Sequence, residues 1–109
     1  MVKFEQVKEV IDEVTEKLNE IAKKMSNYSK LDTDYRAEAL IEEINKKVEQ
    51  MHNTYNNVFA HEDFKKIYGK ESNYDYTEYV KMIRDYVPKY EAIYNKIVKF
   101  ESVFGYYNW

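Results

Sequence analysis

The chain has 109 residues, a formal net charge of −3, 34% charged side chains and no cysteine. That length makes one domain spanning 1–109, and the lack of cysteine excludes disulfides and thiolate-bound zinc. With no run of about eighteen apolar residues and no basic-then-apolar start, the sequence predicts a cytoplasmic protein with no membrane contact.

From Phe4 the apolar side chains fall at Val7, Ile11, Val14, Leu18, Ile21, Met25 and Tyr28, three and four apart in alternation. That is a heptad seam on one face of a helix, and it predicts a first helix over about 3–27. The polar stretch Ser26 to Thr33 follows as a reversal, with Asp32 or Thr33 able to cap the next helix. A second seam reads Ala37, Ile41, Ile44, Val48, Met51, Tyr55 and Val58, widened by Leu40 and Phe59. It predicts a second helix over about 34–60.

Between His61 and Asn73 the period lapses, although Phe64, Ile67 and Tyr68 could anchor a short helical turn at 62–68 that Gly69 ends. The third seam runs through Tyr76, Tyr79, Ile83, Tyr86, Tyr90, Ile93, Ile97, Phe100 and Phe104, with Val80, Val87 and Tyr94 as an extra apolar column. It predicts a third helix over about 74–104. Pro88 removes one helical hydrogen bond, yet the seam continues in register, so a kink at Pro88 is expected, with a split into two helices as the alternative. Gly105 is read as the stop of that helix. Three amphipathic helices joined by two reversals give an all-α, antiparallel three-long-helix bundle, because each stripe needs two neighbours to cover it.

Chemistry-bearing motifs are scarce. His52 and His61 lie nine apart on opposite helix faces, and neighbouring carboxylates such as Glu42 and Glu43 diverge by about 100°, so neither pair makes a metal or acid–base site. Two glycines cannot build a phosphate-cradling loop. No cofactor, no metal and no enzymatic activity are expected.

Residues 1–63 carry 9 basic and 14 acidic side chains and residues 64–109 carry 8 and 6. The last helix is expected to complement the first two in charge, and a basic surface for direct nucleic-acid contact is lacking.

The compositional oddity is tyrosine, twelve in all. Rings of this kind give rigid contact area at low entropy cost and are over-represented at binding hot spots. The partner-binding candidates are therefore Tyr79, Tyr86, Tyr90 and Tyr94 on the third helix, Arg84 beside them, and the aromatic tail Tyr106, Tyr107 and Trp109. Core packing of the seam tyrosines is the competing reading.

The expected function is a non-enzymatic protein-binding module, a small regulator or inhibitor of a larger protein. Fifteen lysines against two arginines, with abundant Asn and Tyr, suggest AT-rich coding and a phage or other mobile element. Anti-defence (anti-CRISPR-like), bacteriocin-immunity and secretion-chaperone roles all fit such a scaffold. The structural alternative is self-association, since heptad seams can pair between chains as a homodimer or larger coiled coil.

Overall fold

A computed structural model describes residues 1–29, 35–69 and 74–107, with side chains for 1–27, 37–69 and 74–99. Helix α1 (Phe4–Ser29) is followed by α2 (Tyr35–Thr54), a π-helical turn (Tyr55–Phe59), α3 (Glu62–Tyr68), α4 (Thr77–Arg84) and α5 (Tyr86–Tyr107). The expected reversal at Ser26 to Thr33 begins later, since α1 runs to Ser29; Asp32 and Thr33 lie outside the described residues.

Helix α1 buries the side chains that its heptad marks. Val7, Ile11, Val14, Leu18, Ile21 and Met25 are all at most 3% exposed, facing Ala37, Leu40, Ile44 and Met51 of α2 and Val80, Ile83, Tyr90 and Ile97 of the third arm. Each such burial contributes about 1.5–3 kcal/mol for a large aliphatic chain. One polar tie crosses this core, where the Thr15 hydroxyl lies 3.4 Å from His52 Nε2.

The up-down-up course is fixed at the chain start. Tyr76 N–H donates to the Val2 carbonyl at 2.9 Å, and Val2 N–H donates to Asp75 Oδ1 at 3.0 Å. These bonds set the beginning of α4 beside the beginning of α1, so the two run parallel and α2 returns between their ends. The described residues form a rod of 63 × 22 × 14 Å.

Three features depart from the sequence reading. The third arm starts at Thr77 rather than 74, because Asp75 Oδ1 accepts the Thr77 N–H at 3.0 Å and the Thr77 hydroxyl at 2.6 Å. A side chain that captures amides two residues on holds its own backbone outside the helix. The arm also ends at Tyr107 rather than 104. A glycine inside a helix costs about 1 kcal/mol relative to alanine but stops it only where the chain turns left-handed, and no described glycine has positive φ.

The third departure is in α2. The seam placed Val58 inside with Phe59 beside it, but Phe59 is 6% exposed and Val58 is 43% exposed. The π-helical turn is the cause: Ala60 N–H reaches back five residues to the Tyr55 carbonyl at 2.8 Å, inserting one extra residue per turn and advancing the buried position from 58 to 59. Leu40 likewise takes the core position expected for Ile41, which is half-buried.

The third arm is interrupted three residues before the proline, at Asp85 between α4 and α5, so it is assigned as two helices, the alternative to a single kinked one. Pro88 has no N–H to give the Arg84 carbonyl. Asp85 keeps φ −67° and ψ −17°, and Lys89 N–H still donates to its carbonyl at 3.3 Å.

Candidate functional site

The end of the rod that holds the start of α1 is built almost entirely of aromatic rings. The π-helical turn delivers Phe59. His61 then caps α3 by accepting the Asp63 N–H on Nδ1 at 3.2 Å, and α3 carries Phe64 and Tyr68 four residues apart on one face. Gly69 closes α3, where a β-carbon would overlap the Lys65 carbonyl oxygen. Past that point the Asp75 clamp holds Tyr74 and Tyr76, and Tyr79 follows on the first turn of α4.

These rings make a closed circuit. Centroid separations are 5.0 Å from Phe59 to Phe64, 5.0 Å to Tyr68, 5.1 Å to Tyr74, 4.8 Å to Tyr76 and 5.9 Å back to Phe59. Adjacent planes meet at 40–72°, the tilted and edge-to-face geometries that ring quadrupoles favour. Phe4 supports the circuit from α1, 6.2 Å from Phe64 and 6.0 Å from Tyr76. Tyr79 lies 4.9 Å from Phe59. Five of these rings and Tyr79 line a recess of about 300 Å³.

The circuit has a floor and a rim. Phe59 and Tyr76 are buried, whereas Tyr68 is 38% and Tyr74 53% exposed, with Ile67 beside them on α3 at 65%. The Tyr76 hydroxyl donates to the Tyr68 carbonyl at 2.6 Å, which satisfies a buried phenol and ties α3 to the segment before α4. Burial pushes the Tyr76 and Tyr79 phenols above their ordinary values, helped by the tyrosines beside them. Among the described residues, no carboxylate, imidazole or ammonium lines the recess. Its aromatic rings offer stacking and attraction to cations.

Of the described residues singled out from sequence, Tyr79 lines this recess, and Tyr86, Tyr90, Tyr94 and Arg84 lie elsewhere. Tyr90 is a correction: at 1% exposure it is a core residue and offers no contact surface. Tyr86 is half-buried under the Lys47 ammonium, 4.7 Å from its ring centroid, and Tyr94 is half-buried against the core. Arg84 Nη2 reaches Glu13 Oε2 at 3.5 Å, an exposed pair that complements α1 in charge but contributes at most about 1 kcal/mol. The side chains of Tyr106 and Tyr107, and the whole of Trp109, lie outside the described residues.

Tyr68, Tyr74, Phe59 and Phe64 were not picked as site residues by sequence reasoning. Their signal was there as density, since 55–79 holds seven of the seventeen Tyr and Phe residues, but the lapse in period hid their grouping. A trough of about 410 Å³ on the outer face of α2 is larger, yet it is walled by solvated residues such as Lys46, Glu49 and Gln50 from one helix. It brings no distant parts of the chain together.

Comparison of the chain with protein-family models, curated proteins and solved structures finds no match. Fold and site together define an all-helical bundle with an aromatic recess at one end. No helix among the described residues is long and apolar enough to cross a membrane.

The clamp on this site is testable. Hydrogen bonds from Thr77, first its hydroxyl and then its N–H, followed by the Val2 N–H, hold the Asp75 carboxyl below its ordinary value. A lowered folded-state pKa contributes stability above the ordinary carboxyl range and loses it as pH falls through the folded value. Asp75→Ala is therefore expected to lower the thermal midpoint at pH 7, with the gap to wild type closing as pH falls below the ordinary carboxyl range. A gap that persists unchanged in acid would show that the carboxylate charge is not what holds the clamp.

Proposed function

We propose that this protein is a non-enzymatic protein-binding module, a small regulator or inhibitor that works by covering a surface on a larger protein. The observation that carries the reading is the exposed trio Ile67, Tyr68 and Tyr74 on the rim of an aromatic recess. Exposed aromatics at a concave, rigidly held site are the usual anchors of binding energy. The contact surface moves, relative to the sequence expectation, from the middle of the third arm to its start. The lysine-rich, arginine-poor composition supports a phage or mobile-element source and hence an anti-defence role.

The test is affinity capture from host lysate with the wild-type chain and an Ile67→Ser, Tyr74→Ser variant whose helicity and melting are first shown to be unchanged. Loss of two anchors is expected to weaken a captured complex by roughly 30-fold or more. A folded variant that retains the same partners at the same strength would remove this surface from the proposal.

A further inference from the structure

We infer that the aromatic recess receives a guanidinium group, an arginine side chain presented by the partner protein; this rests on the protein-binding reading above and names what the site recognises. Four of the six lining residues are tyrosines and two are phenylalanines. An aliphatic occupant needs only apolar walls, which leucine would supply. Ring faces add a negative quadrupole to each wall, and a cation is the group that uses it.

The dimensions agree. Neighbouring centroids around the circuit are 4.8–5.9 Å apart, a spacing comparable to the ~6 Å reach of cation–π attraction. The recess volume of about 300 Å³ leaves room for the planar head and the methylenes behind it.

The walls also choose between cations. Among the described residues they carry no carboxylate to replace the water that a compact, strongly hydrated lysine ammonium would surrender. A guanidinium is more weakly hydrated and stacks flat on aromatic faces, so it loses less on entering. Elsewhere the fold already sets ammonium groups over tyrosine rings, Lys47 at 4.7 Å from Tyr86 and Lys89 at 5.5 Å from Tyr90. Those lysines lie on the flank of the bundle, where their heads stay in water.

The experiment titrates the full chain with a short blocked peptide carrying one arginine, and with the same peptide carrying citrulline or lysine, followed by NMR. Citrulline keeps the shape and removes the charge. The arginine δ-methylene protons are expected to move upfield by ring current, with affinity roughly 5- to 30-fold above citrulline and also above lysine. Tyr68→Leu, an exposed position whose backbone carbonyl still accepts from Tyr76, is expected to abolish the shift while the chain stays folded. Equal response to arginine and citrulline, preference for lysine, or no response to any peptide would overturn the inference. Capture of a partner that survives Tyr68→Leu but not the Ile67/Tyr74 change would leave the protein-binding reading standing without it.

Discussion

Phe59→Ala is expected to lower the unfolding free energy by about 3–5 kcal/mol, and Val58→Ala by less than about 0.5. Phe59 is buried and touches Tyr55, Phe64, Tyr76 and Tyr79, so truncation empties the hub around which the aromatic end is assembled. Val58 sits one residue earlier and faces water. A regular α-helix through Thr54–Ala60 would reverse the two effects, because position 58, not 59, would then continue the buried stripe. Chemical denaturation of both variants decides the register. For a domain whose total stability is typically 5–15 kcal/mol, the Phe59 loss is large enough to read without ambiguity. Comparable losses at both positions would show that the π-helical turn does not persist in solution.

The second large effect appears only in alkali. Tyr90 lies in the core with its hydroxyl paired to Glu43, and its phenol is pushed from the ordinary 10.0 up to about 12, first by burial, then by the Glu43 charge and hydrogen bond, then by Tyr86. A folded-state pKa above the unfolded one means that the folded chain keeps its proton where the unfolded chain has lost it. The contribution is fully present below about pH 10 and is lost as pH rises through 12. Wild type is therefore expected to lose about 2–3 kcal/mol across that window from this residue alone. Tyr90→Phe removes the titrating group while keeping the ring. At pH 7 it should cost no more than about 1 kcal/mol for one hydrogen bond at the core's edge, and between pH 10 and 12 its stability should fall less steeply than that of wild type. Parallel curves for the two proteins would mean that Tyr90 is hydrated in the folded state.

Tyr90 and Tyr79 show how much of the candidate site was legible. Both were marked by the same seam and the same unusual residue type, and sequence gave no means of separating them. Tyr90 went to the core because it sits where α5 faces both α1 and α2. Tyr79 stayed half-buried because it begins α4 at the end of the rod, where α2 has given way to the π-helical turn. The short helix at 62–68 was legible from Phe64, Ile67, Tyr68 and Gly69, but its purpose was not. Folding it back brings Tyr68 against Tyr74 and Tyr76, residues six and eight positions away across a segment with no period.

The sequence by itself determined that the chain is all-helical and where most of its helical stretches lie, because apolar spacing and helix pitch are both local properties of the chain. α1 is the clearest case, with every seam residue from Val7 to Met25 buried. Tertiary structure alone decided which end of the bundle carries the aromatic recess. The Asp75 clamp on Val2 and the seat of α3 against Phe4 are contacts between segments some 60 to 75 residues apart. No local pattern can encode them, since each is set by what the rest of the fold leaves uncovered.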